Sequence, residues 1–356
     1  MDVYIPLAIY VLIVSVLFRN NKKLMFVMVS IPLLLFWGTR EDFGADYSSY
    51  KSKYEYQHDW DLNTYLLSVL GGKIEPGYFL LMKMAPDYNS LVFICALIYS
   101  IGLFWFLYEF VPKRYLTLAF IMFLFCTSSY LAVQTMRSSI TLSLFLMACI
   151  AKLKGNMKLA VLLALLSATF HMSGLLLVFL LLLRNDALVK RYNVLSVFLY
   201  AFVLISFLVP NIWASSLKSI VGNVGDLSDD YGNYIYNRGV GVGFYILSLI
   251  RLGYIVYILS LINRRIVKGD YVWFAWITIF YYALHMIQNV EIIYRFCTYL
   301  YFITIIFKCY VLMADKTKAS RIFVGISIIY MLFSFYSITM DPANDPTNQE
   351  YHTFLF

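Results

Sequence analysis

Charge is scarce in this chain: 13% of its 356 residues are Asp, Glu, Lys or Arg, 62% are apolar, and the mean hydropathy is +0.74. So low a charge content excludes an ordinary soluble domain and marks an integral membrane protein. Cysteine offers no scaffold either. Cys95, Cys126, Cys149, Cys297 and Cys309 all fall inside apolar runs without a CxxC pair, which excludes a disulfide framework and a zinc site and leaves buried small hydrophobes. A nucleotide-binding glycine loop, an internal repeat and a soluble domain are missing too, so neither nucleic acid nor a cofactor is expected. The first apolar run lacks the basic flank and small-residue cleavage site of a signal peptide, and is expected to stay as the first span.

What recurs instead is apolar runs of about 17 to 25 residues, the length a helix needs to cross a hydrocarbon core of about 30 Å. They do not alternate as barrel strands would. Spans are predicted near 3–18, 24–38, 89–110, 115–134, 136–152, 159–183, 193–209, 242–262, 271–290, 294–313 and 321–340. The expected fold is all-α and polytopic, one transmembrane domain over 1–356 with about 11 to 12 membrane helices.

Lys and Arg gather in the short connectors Arg19–Lys23, Lys113–Arg114, Lys152–Lys158, Arg184–Arg191, Asn263–Lys268 and Lys316–Arg321, which the positive-inside rule assigns to the cytoplasm. The loops 39–87 and 211–241 and the tail 341–356 are acidic on balance and are expected outside. A straight span over 159–183 would carry two of the basic connectors to the wrong side. The polar interruption His171-Met172-Ser173-Gly174 resolves this if two short helices meet there as a broken, re-entrant pair, with His171 near the apex toward the outer face. The alternative is one tilted helix and an imperfect charge rule. Non-helical backbone at membrane depth lines a cavity or is buried in protein, so such a break is itself a candidate site.

An arginine at the centre of a membrane helix costs about 2.5 to 3.5 kcal/mol on insertion scales and needs a partner or a wet cavity. Arg137, Arg251 and Arg295 are the candidates. Gln134, Arg137, Ser138 and Thr141 share one helical face, and Tyr281, His285, Gln288 and Asn289 share another, just before Glu291 and Arg295. Snorkelling or pairing accounts for any one arginine alone, whereas three together favour an anionic ligand. Phosphate suits them, since guanidinium donates bidentate hydrogen bonds and stays charged. Tyr47, Tyr50 and Tyr54 fall at i, i+3 and i+7, an aromatic stripe suited either to the membrane interface or to sugar faces. His58-Asp59-Trp60-Asp61 has the form of a divalent-ion site, but so short a pattern in an acidic loop arises by chance, and no metal is expected.

Arg40 with Gly44, Asp46, Tyr47 and Tyr50, then IEPGYFLL with Glu75 and Gly77, then Arg137, then FHMS with His171 and Ser173, then RFCTYLYF with Arg295 and Tyr299, resembles the EpsG family. Its members are Wzy-type polymerases of bacterial O-antigen, capsule and exopolysaccharide. Ala45 and Ser138 depart from the family's usual residues, a hydroxyl before the aspartate and a glutamine after the arginine. The resemblance implies a metal-independent glycosyltransferase, similar to the C superfamily, at the outer face of the bacterial inner membrane. It would transfer a glycan from undecaprenyl diphosphate to the next lipid-linked unit, beside a chain-length regulator and a flippase of the same pathway. On that basis Arg40, Arg137 and Arg295, with Arg251 as a fourth, are expected to hold the diphosphate. His171, Asp46 and Glu75 compete for the role of base, and Tyr47, Tyr50, Tyr54 and Tyr299 are candidates for glycan contact. A lipid-linked oligosaccharide flippase, an O-antigen ligase and a membrane acyltransferase are the rival readings.

Overall fold

Caps and turn residues divide the chain into helices. In the computed structural model, α1 (Tyr4–Leu17) is followed by α2 (Lys22–Gly38), where the Asn21 side chain accepts from Leu24 N at 3.1 Å. Such a side chain satisfies one of the donors that a helix start leaves unpaired. A two-residue strand, β1 (Arg40–Glu41), leads to α3 (Tyr47–Gln57), α4 (Leu62–Leu70) and α5 (Pro76–Met84). The acidic segment 39–87 is therefore largely helical among its described residues. Asp87 caps α6 (Tyr88–Phe110), accepting from Ser90 N at 2.7 Å, and α7 (Leu116–Leu124) follows. Then come α8 (Met136–Leu153), α9 (Met157–Phe170), α10 (Gly174–Leu182), α11 (Asn185–Lys190) and α12 (Tyr192–Leu208). The last elements are α13 (Val242–Asn263), α14 (Tyr271–Leu284), α15 (Glu291–Ala314), α16 (Lys318–Thr339) and β2 (His352–Thr353).

The structure describes residues 4–44, 46–70, 75–126, 133, 135–210, 212, 213, 215, 216, 241–287, 291–339 and 351–354, with some side chains, that of Arg295 included, outside the description. Gln134, Gln288, Asn289 and nearly all of the loop 211–241 fall outside it. So does most of the latter half of the span expected over 115–134, of which α7 forms the start. Elsewhere helices stand at the expected spans. Four of them, Tyr88–Phe110, Met136–Leu153, Val242–Asn263 and Phe296–Ala314, are long and apolar enough to cross a membrane. Shorter apolar helices accompany them, and the protein is a multi-pass, all-α membrane protein. The described residues gather into two compact units, Met1–Leu182 with Gly325–Phe356, and Leu183–Val324.

Within the first unit, α8 packs on α6 and α9. The turn between α8 and α9 is built from Gly155, at φ +82°, and Asn156, whose side chain accepts from Leu159 N at 3.1 Å. Glycine tolerates that left-handed backbone and asparagine starts the next helix. Arg137 lies eighteen residues before Gly155 and His171 sixteen after it. At 1.5 Å per residue both stand about 25 Å from the turn, so an antiparallel pair brings them to one level. Thr141 Oγ1 donates to Ser167 O at 3.1 Å and fixes that register.

The break expected inside 159–183 is present. α9 ends at Phe170, His171 is extended (φ −159°, ψ 129°), and α10 begins at Gly174. α10 packs back against α9 and also reaches α8. At nine residues it is about 13 Å long, far short of a membrane crossing.

Candidate functional site

Glu75, Pro76 and Gly77 of the IEPG motif each have a separate physical task. Pro76 occupies the first helical position of α5, where its missing N–H costs nothing and its fixed φ suits the helix. The ring restricts the preceding residue, and Glu75 is extended (φ −79°, ψ 124°) at the N-cap. Gly77 permits contact with the end of α9: a Cβ there would lie 2.3 Å from Thr169 Oγ1 and 3.0 Å from the Phe170 ring. The first turn of α5 is thus seated on the last turn of α9, with Glu75 beside His171.

The Glu75 carboxylate is bridged. His171 Nδ1 lies 3.2 Å from Oε1, and Arg137 Nη1 donates to Oε2 in a short ion pair. On its other edge Arg137 Nε donates to Tyr50 OH at 3.4 Å, with the guanidinium 5.7 Å from the centroid of that ring. Burial raises the Glu75 pKa, but the His171 hydrogen bond and the Arg137 charge outweigh it, and the carboxyl is held below its usual range. An ionised carboxylate only accepts, so Nδ1 is the donor in this contact, and the tautomer with its proton there has a lone pair on Nε2. Arg137 has five N–H donors, of which the described contacts use two. The three side chains are 22 to 29% exposed, neither sealed nor fully wet. A carboxylate therefore holds, side by side, a histidine fit to take a proton and a cation with donors to spare.

The tyrosine stripe keeps its spacing but faces inward. Tyr47, Tyr50 and Tyr54 are 3%, 6% and 7% exposed, packed with Tyr78, Tyr88, Leu91, Cys95 and Met136. Tyr54 OH donates to Ala85 O at 2.9 Å, and Tyr47 meets Tyr88 edge-on at 5.1 Å. The reason is that α3 lies on α6, which offers an apolar face to it. These rings form a core and, for Tyr50, a seat for Arg137.

Arg40, 1% exposed, donates through Nη1 to Trp37 O at 2.5 Å and is not among the groups touching Glu75. Asp46 stands at the N-cap of α3 without a capping hydrogen bond from its side chain. Asp61 accepts from Thr64 N at 2.7 Å and starts α4, which accounts for one carboxylate of the His58-Asp59-Trp60-Asp61 pattern. The second unit carries the remaining candidates. Arg251, 6% exposed, donates through Nη1 to His285 O at 2.8 Å, a carbonyl at the end of α14. A buried cation at a helix C-terminus is favourably placed. Tyr299 is 1% exposed on α15, the helix that also carries the backbone of Arg295. Lys308, not among the candidates from sequence, is buried on α15 with Nζ 5.0 Å from the Tyr301 ring and 6.0 Å from Tyr282. The signal was available: it is a cation in the middle of a predicted span, and aromatic faces are one way to house such a charge.

The model of the EpsG family matches residues 23–352, nearly the whole chain and all of the site. No curated protein and no solved structure matches it.

Proposed function

Since the chain belongs to the EpsG family, whose members are Wzy-type polymerases, we propose that it joins oligosaccharide repeat units carried on a polyprenyl diphosphate such as undecaprenyl diphosphate, at the outer face of the bacterial inner membrane. The observation that carries this is the Glu75 carboxylate shared between His171 and Arg137. In this reading an acceptor sugar hydroxyl attacks the anomeric carbon of the donor. The new C–O bond forms as the bond from that carbon to the diphosphate oxygen breaks, and the hydroxyl proton passes to His171 Nε2. The diphosphate leaves with the electron pair, and the spare N–H donors of Arg137 receive its growing charge. Glu75 orients the histidine and holds Arg137 in place, so it serves as the positioning carboxylate rather than the base. Phosphate contacts by Arg40, Arg251 and Arg295 and a sugar contact by Asp46 are proposed on sequence alone.

Deletion of the gene tests the assignment. A polymerase loss leaves surface lipid carrying single repeat units, the result expected here. Surface lipid with no repeat unit at all would instead indicate a flippase, and normal long chains would refute both.

A further inference from the structure

The end of the chain returns to the root of the outer segment. β2 pairs antiparallel with β1 in the register Arg40↔Thr353 and Glu41↔His352, and Phe354 N donates to Thr39 O at 3.1 Å. Tyr351 packs between two rings, stacked on Phe36 at 4.8 Å and edge-on to Phe43 at 5.4 Å, while its hydroxyl donates to Phe36 O at 2.8 Å. Thr353 Oγ1 donates to Thr39 Oγ1 at 2.9 Å. Thr39 and Arg40 are 4% and 1% exposed, so the backbone that leaves α2 is buried and needs these partners. They are supplied from more than three hundred positions away.

The segment so fixed runs directly to the site. After β1 the chain passes Gly44, at φ +112°, where a Cβ would lie 2.3 Å from Val133 O, three residues before α8 begins. Then α3 starts, and its Tyr50 receives Arg137 Nε. The stretch 40–50 is therefore held at one end by β2 and delivers Tyr50 at the other.

We infer that Tyr351 and β2 are a positioning element for the site, setting Tyr50 and through it Arg137 by anchoring the start of the outer segment. The consequence for activity rests on the proposed transferase reading, whereas the anchoring itself does not. Hydrogen exchange and polymer formation, both measured on the protein in lipid nanodiscs, separate the two. In a chain ending at Glu350, the amides of residues 39–57 should exchange about 10-fold faster, as in a local opening, with α6 and α8 as protected as before. Polymer formation should fall by about 10-fold to 100-fold through kcat at unchanged KM, as for a small misplacement of a reacting group. A peptide of residues 351–356 added in trans should restore both. Tyr351→Ala should repeat the defect more mildly, and Tyr351→Phe, which keeps the ring and loses only the hydroxyl, less still. Unchanged exchange over 39–57 in the truncated chain overturns the anchoring. Faster exchange with polymer formation at the wild-type level overturns the link to the site. If the wild-type protein forms no polymer, the transferase reading fails, and the exchange result still decides the anchor.

Discussion

Arg137→Lys is expected to lower polymer formation by about 10² to 10³-fold, the usual cost of removing one preorganised donor to a developing oxyanion. Lysine keeps the charge, so a loss of this size isolates geometry. Two donors of the guanidinium are already committed, one to Glu75 and one to Tyr50, and the planar fork keeps others pointed away from both. A single ammonium cannot pair with Glu75 and face a diphosphate in the same directions. Chain-length distributions on gels, with protein amounts in the membrane held equal, give the comparison. Near-normal chains in this variant would remove Arg137 from the leaving-group role.

His171→Ala and Glu75→Gln form the second prediction. Loss of a general base costs about 10² to 10⁴-fold, and His171→Ala should fall in that range. Glu75→Gln should approach it, because an amide can donate as well as accept and no longer fixes the proton on Nδ1. In the proposed mechanism Glu75 acts through His171 and Arg137, so adding Glu75→Gln to His171→Ala should cost much less than it does alone. Thermal stability against pH supplies a second readout. The Glu75 carboxyl is held below its usual range in the folded protein, so its contribution is complete at neutral pH. It declines once the pH falls into the ordinary glutamate range and is gone below the folded value. The stability gap between wild type and Glu75→Gln should close over that acidic interval and stay constant above it. A gap that instead opened as the pH fell would reverse the sign of the Glu75 shift.

Much of this site was legible because its logic is local. Pro76 fixes a helix start, Gly77 permits close packing, and His171 interrupts an apolar run where the charge pattern demands a reversal. None of these needs knowledge of distant partners. The pairing of Arg137 with Glu75 was expected only as a type, since intramembrane charges seek counter-charges; which carboxylate would answer depended on α5 seating against α9. Tyr47, Tyr50 and Tyr54 show the limit of periodicity, which finds a shared face but not whether that face meets sugar, lipid or protein. Arg251 donates to a backbone carbonyl, His285 O, a contact that sequence does not show, because carbonyls at helix ends leave no mark in it. The β1–β2 pairing could not be read at all. Two residues at each end carry too little pattern, and only the folded first unit brings Arg40 and Thr353 together.

The central claim is that Glu75, His171 and Arg137 act together to move a glycan off a lipid diphosphate. It is tested most directly with the purified chain in vesicles, supplied with one oligosaccharide on a polyprenyl diphosphate, in the presence of a chelator. The account predicts a ladder of products lengthening by one repeat unit, with one free lipid diphosphate released per bond made, and no ladder from Arg137→Lys. Substrate that crosses the bilayer without forming longer products, or a ladder that survives the loss of Arg137, would contradict it.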